Sequence, residues 1–190
     1  MRLVTLNTEN GSRVGVAANG MAALLGENAA TAPETLPLHS NWMEHARERH
    51  QQLIRGGGSA SQVVPLEEAS LRAPVPNPGK VVCLGLNYRD HAAESGMDVP
   101  EEPVVFGKAR SSVTGPNKPV ILPEASYKVD YEVELAVVIG KAGKNIAARA
   151  AEEHIAGYTV LNDVSARDYQ HEKPGGQWFL AKSFDTFCPL

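Results

Sequence analysis

The sequence predicts a mainly β fold with some helix (α+β), a mixed architecture preceded by a small N-terminal αβ domain. Three observations carry this. Short β-prone apolar runs recur between Gly, Pro and polar breaks along most of the 190 residues. Only two stretches have helical spacing, and the regular strand and helix alternation of a doubly wound sheet is missing, as is any G-x-G-x-x-G turn. A composition of 43% hydrophobic and 21% charged residues suits a packed core and excludes disordered or collagen-like chains.

Residues 1–27 read as a three-stranded meander, with Asn10-Gly11 and Asn19-Gly20 as hairpin turns because both dipeptides accept positive φ. A helix follows, capped by Ser40 or Asn41 and carrying Met43, Ala46, His50, Leu53 and Ile54 near helical spacing. Gly56-Gly57-Gly58 ends it. Those glycines form a flexible C-cap and not a phosphate loop, since they follow a helix and lack the Gly-Lys-Ser/Thr ending. A short strand covers Gln62 to Leu66. The segment Ala73-Pro74-Val75-Pro76-Asn77-Pro78-Gly79, with three prolines in seven residues, cannot join a regular element and separates domains 1–72 and 73–190. Beyond it, Lys80 to Leu86, Val104 to Phe106, Val120 to Leu122, Glu132 to Ile139 and Gly157 to Asn162 are predicted strands, and Asn145 to Ile155 a helix.

Eighteen Lys and Arg against twenty-two Asp and Glu give a net charge of -4, so no general attraction to nucleic acid or anionic lipid is available and any partner is held by a local site. The start carries no secretory pattern, and no run approaches the roughly 18 apolar residues of a membrane span. A cytoplasmic protein is expected. Cys83 and Cys188 are too few and too scattered for a disulfide framework or a zinc knuckle, and read as reduced thiols.

Asp130-Tyr131-Glu132-Val133-Glu134-Leu135 is the most informative stretch. As a strand it puts Tyr131, Val133, Leu135 and Val137 on one face and Asp130, Glu132, Glu134, Ala136 and Val138 on the other. The β-carbons of Glu132 and Glu134 then stand about 6.6 Å apart, near enough to converge on one cation. Asp163, at the polar end of the run from Gly157, can add a third oxygen ligand. Three carboxylates without thiol or imidazole favour Mg²⁺, Mn²⁺ or Ca²⁺ over zinc. A hydrated strand face, with Asp163 as a helix cap, accounts for the same residues without a metal. His91 and Glu94, three apart on a helical turn begun by Asn87 or Asp90, can pair so that the carboxylate orients the imidazole as a base, or can be an ordinary surface pair. Lys108 and Lys182 end apolar runs, where each can meet an anionic substrate or enolate, or simply be solvated.

From about Pro78 to Leu190 the chain resembles the fumarylacetoacetate hydrolase family, through six ordered motifs. They are Gly85-Leu86-Asn87-Tyr88-Arg89-Asp90-His91-Ala92-Ala93-Glu94, Phe106-Gly107-Lys108, Gly115-Pro116 with Pro119, the Asp130 to Leu135 stretch, Asn162-Asp163-Val164-Ser165-Ala166-Arg167-Asp168, and Lys182-Ser183-Phe184-Asp185-Thr186-Phe187. The resemblance implies a β-sheet roll particular to that family, usually as a homodimer. It implies that Glu132, Glu134 and Asp163 bind Mg²⁺ or Mn²⁺, that His91 and Glu94 form a water-activating dyad on a lid, and that Lys182 joins them in catalysis. Lys108, Arg167 and Gln170 are implied to bind substrate. Family members continue past the point matching Leu190, so an incomplete sheet with an open edge is expected.

The resemblance and the residues together lead to a metal-dependent hydrolase that breaks a carbon-carbon bond in a small 2-oxo acid, of the acylpyruvate or fumarylacetoacetate type met in aromatic breakdown. The cation stabilises the enolate that departs, and the dyad supplies the attacking water. Oxaloacetate decarboxylation or 2-oxo acid isomerisation needs the same enolate stabilisation without the water. Those reactions stay open, as does an inactive module that binds but does not turn over.

Overall fold

The computed structural model describes residues 1–25, 42–58, 63–94, 96, 98–176 and 178–190. The alternating apolar pattern at the N-terminus makes β1 (Arg2–Thr8), β2 (Gly11–Ala18) and β3 (Met21–Leu24), joined as antiparallel hairpins. Asn19 and Gly20 have φ of 51° and 73°, the backbone of a two-residue turn whose twist matches the flanking strands. The helix α1 (Trp42–Ile54) lays Ala46 and Leu53, seven residues apart, into a core with Val14, Val16, Ala23 and Leu25. It ends as expected. Gly56 takes a φ of 73°, and the Gly57 amide donates to the Gln52 carbonyl at 2.9 Å, closing the last turn. Ser40 and Asn41, the expected caps, lie outside the described residues, as do residues 26–27 of the meander and Gln62 of the following strand.

β4 (Val63–Pro65) and β5 (Leu71–Arg72) complete a five-stranded sheet in the order β4-β3-β2-β1-β5. Its last strand ends at Arg72, and residues 73–80 contain no helix or strand. This is the place where the prolines interrupt the sequence.

The remaining strands form four separate two-stranded ribbons. β6 (Val81–Gly85) pairs antiparallel with β7 (Val104–Lys108), with α2 (Arg89–Glu94) between them in the chain. β8 (Val113–Thr114) pairs parallel with β13 (Cys188–Pro189), and β9 (Val129–Asp130) antiparallel with β12 (Ser165–Ala166). β10 (Val133–Ile139) and β11 (Ile155–Asn162) make the longest ribbon. Two short helices, α3 (Arg167–His171) and α4 (Trp178–Ala181), pack against each other beside them. A small core gathers Val164, Ala166 and Phe187. Among the described residues no helix is long and apolar enough to cross a membrane.

Two sequence expectations need correction. The stretch Asn145 to Ile155 is not an α-helix: residues Ala148–His154 form a 3-10 helix with no buried residue, and Ile155 opens β11. A helix with no face to bury has little to hold it. Val120 to Leu122 has no ladder partner; the Ile121 amide instead donates to Thr186 Oγ1 at 2.8 Å.

Candidate functional site

β6 carries the chain to Gly85, where a β-carbon would lie 2.6 Å from the Trp178 ring, so only glycine lets α4 press this closely on the ribbon. Trp178 meets Phe106 of β7 edge-on at 5.3 Å, and the Lys182 ammonium stands 5.1 Å above the Phe106 ring. These side chains form the apolar wall of a cavity of about 260 Å³. Glu132, Glu134 and Asp163 line the same cavity, with Lys182 and Arg167.

The predicted acid strand is broken in two. Asp130 ends β9, Glu132 lies in the gap, and Glu134 belongs to β10. Alternation survives the break, so Glu132 and Glu134 are both half-buried while Tyr131, Val133, Leu135 and Val137 are exposed. Asp163 follows directly after β11, tied by its amide to the Glu132 carbonyl at 2.8 Å. The two acid segments are thereby locked together.

A charge network fills the space between them. Lys182, only 2% exposed, donates to Glu132 Oε2 at 2.7 Å and to Asp163 Oδ2 at 2.9 Å. Lys108 donates to Asp163 Oδ1 at 2.6 Å and to the Val164 carbonyl at 3.1 Å. Arg167 reaches Glu132 Oε1 at 2.7 Å and Asp130 Oδ2 at 2.9 Å, and also donates to Gln170 Oε1 at 2.9 Å. Glu134 accepts from Asn87 Nδ2 at 3.0 Å.

The protonation equilibria follow from this packing. Burial pushes Glu134 above the usual carboxylate range; the Asn87 hydrogen bond opposes the rise, and the nearby Glu132 and Asp163 add to it. Burial lowers Lys108, against the attraction of Asp163. Burial also acts to lower Arg167, but hydrogen bonds and charges from Asp130 and Glu132 outweigh it and hold the guanidinium above its ordinary value. Burial pushes the thiols of Cys83 and Cys188 up to about 12 and about 11, so neither is a thiolate nucleophile at neutral pH.

The structure thus brings Glu132, Glu134, Asp163, Lys182, Arg167 and Gln170 to one cavity. It places Lys108 behind Asp163, buried, bonded to Asp163 and to the Val164 carbonyl and outside the cavity lining, so that Lys108 holds the acid in place. Glu94 is exposed on α2 and is not among the lining residues; the His91 side chain lies outside the described residues. Sequence reading passed over three lining residues, Leu84, His171 and Trp178. Trp178 gives no local signal, because its role depends on the missing β-carbon of Gly85, 93 positions earlier.

Among the described residues no three acidic, His or Cys side chains already converge as a ligand cage, since the Lys182 ammonium occupies the place between Glu132 and Asp163. The donor chemistry nonetheless fits a hard divalent cation: three carboxylates from two segments face one cavity, without thiol or imidazole among the three.

The model of the fumarylacetoacetate hydrolase C-terminal domain matches residues 80–190. A human mitochondrial oxaloacetate tautomerase is 44% identical over 194 residues, covering 100% of this chain and 61% of the human protein. Among solved structures, a 5-carboxymethyl-2-hydroxymuconate delta-isomerase from Mycobacterium smegmatis superposes with a TM-score of 0.71 at 33% identity, covering 100% of this chain and 64% of its own. A fumarylacetoacetate hydrolase from Exiguobacterium antarcticum does so with a TM-score of 0.71 at 31% identity and the same coverage. The chain therefore spans less than two thirds of the length of these relatives.

Proposed function

Because the chain belongs to the fumarylacetoacetate hydrolase family, we propose that its cavity binds a small 2-oxo acid and moves a proton on it, as a keto-enol tautomerase or double-bond isomerase of oxaloacetate-like substrates. The observation that carries this is the acid and cation network on one small cavity. At about 260 Å³ the space lies near the lower end of ligand pockets, which suits a small acid. The names of the human and mycobacterial relatives favour tautomerisation or isomerisation over the carbon-carbon hydrolysis expected from the sequence.

Glu132, Glu134 and Asp163 would hold Mg²⁺ or Mn²⁺. When bound, such a cation acts as a Lewis acid on the ketone oxygen and stabilises enolate charge. Arg167 lines the cavity with Nε and Nη2 already on Asp130 and Glu132, and would meet a substrate carboxylate through the N–H groups these leave, beside Gln170. Lys182 faces the same space with a buried ammonium that can donate to the enolate oxygen. The carbon next to the ketone loses a proton, its electrons form the new double bond, and the oxygen gains the proton. No water attacks, so the reaction needs one proton carrier, the role we assign to His91 with Glu94. A hydrolase needs the same carrier and also a positioned water.

The test measures conversion of enol oxaloacetate to the keto form, with Mg²⁺ and with a chelator, beside cleavage of an acylpyruvate. We expect magnesium-dependent tautomerisation that Glu132→Gln lowers by about 100-fold, the scale of losing one preorganised electrostatic group. Faster acylpyruvate cleavage than tautomerisation would replace this reading with the hydrolase. Oxalate binding by calorimetry without either turnover would make the chain a binding module.

A further inference from the structure

In the charge network in and behind the cavity, four acids, Asp130, Glu132, Glu134 and Asp163, stand among three cations, Lys108, Arg167 and Lys182. Each of the other three acids is paired with at least one of these cations, whereas the recorded partner of Glu134 is the neutral amide of Asn87. The negative charge left over therefore resides at Glu134, and the direction of its carboxylate rests on one hydrogen bond.

We propose that Asn87 is the positioning residue that aims Glu134 into the cavity and so sets how tightly the acid cluster holds a divalent cation. The inference rests on the cation reading above. The geometry supports it in two ways. First, Asn87 is itself held: Leu86 turns the chain out of β6 with a left-handed φ of 53°, and the Tyr88 hydroxyl accepts from the Leu135 amide at 3.3 Å. Side chains 87 and 88 thus fasten to consecutive residues 134 and 135, and that pair of bonds keeps a non-glycine residue in a strained region. Second, the donor is uncharged. A lysine in its place would neutralise Glu134 and repel an incoming cation, whereas an amide orients the carboxylate and leaves its charge available.

The experiment titrates Mn²⁺ into the 190-residue chain and follows free Mn²⁺ by electron paramagnetic resonance, for wild type, Asn87→Ala and Tyr88→Phe. Circular dichroism and thermal unfolding are recorded on the same samples. Loss of an outer hydrogen-bond partner lowers metal affinity about 10- to 100-fold in general; for this exposed bond we expect about 10-fold for Asn87→Ala, and a clearly smaller loss for Tyr88→Phe, which keeps the Asn87 amide and loosens only its segment. Equal affinity of Asn87→Ala and wild type overturns the inference and leaves the cation reading intact. An equal loss in Tyr88→Phe also overturns it, because the effect would then belong to the whole segment. A wild-type chain that binds no Mn²⁺ removes the cation reading and this inference with it.

Discussion

In the N-terminal sheet the side chains removed from water are apolar apart from the neutral Thr5: Val16, Ala22, Ala23 and Ala46 are completely buried, and Leu25 and Leu53 nearly so. Beyond Gly79 the largest buried side chains include Lys182 and Asp168, with Asp163 and Lys108 close behind, while Leu135, Val137 and Val160 stand exposed on the β10-β11 ribbon. The first region is held together by hydrophobic burial, non-directional and tolerant of detail. The second is organised around ion pairs whose geometry must be kept, and the same pairs form the candidate site. Removing one partner of a buried pair leaves a stranded charge, whereas trimming a core side chain leaves a cavity; the two regions should respond differently to the same class of mutation.

The largest effect on the second region is expected for Lys182→Ala. It leaves Glu132 with Arg167 alone and Asp163 with Lys108 alone, and should cost about 3 kcal/mol, the low end for a broken buried pair because neither acid loses every cation. Denaturant unfolding gives the total, and hydrogen exchange gives its location: amides of β10, β11 and α4 should lose protection while those of β1 to β3 keep theirs. A loss below about 1 kcal/mol would mean that the network contributes little to holding this region, and the contrast would collapse. Next comes Leu53→Ala, expected to cost about 2–5 kcal/mol and to be confined to the sheet and α1. The double variant sharpens the comparison. The regions touch, since a β-carbon on Gly115 would lie 2.9 Å from the backbone of Arg72 and Ala73, and Thr5 Oγ1 donates to the Pro74 carbonyl at 3.1 Å. Two separated unfolding transitions, each shifted by only one of the substitutions, identify two units; a single transition shifted by both identifies one.

The same contrast explains what the sequence made legible. Period-two alternation and the Asn10-Gly11 and Asn19-Gly20 turns are local signals, and they foretell the antiparallel meander of β1 to β3 and where it turns. Helical spacing and Gly56 do the same for α1. In the second region, the acids Glu132, Glu134 and Asp163 were legible from residue type and spacing. Their partners were not, because Lys108, Arg167 and Lys182 reach them across sequence separations that no local pattern encodes. Lys108 shows the limit: at the end of an apolar run its own sequence is compatible with a solvated lysine or an anion contact, and only the fold puts Asp163 against it. The failed helix at Asn145 to Ile155 has the same origin, since periodicity cannot report whether anything waits to be covered.

The smallest expected effect tests the exposed face itself. Leu135 and Val137 sit opposite Val160 and Tyr158 across the ribbon, and Leu135 is 60% exposed. Such a row of apolar side chains on one sheet face is an association surface unless something covers it. If it is bare in solution, Leu135→Thr removes only a half-formed cross-strand contact and should change stability by no more than about 0.5 kcal/mol, while binding of an apolar dye falls. If the loss instead reaches about 2 kcal/mol, the side chain is buried in the protein as it exists in solution, and the ribbon has a partner. Unfolding measured over a range of protein concentrations then identifies that partner: a midpoint that rises with concentration means a second copy of the chain lies on this face, because only a bound partner makes stability depend on mass action.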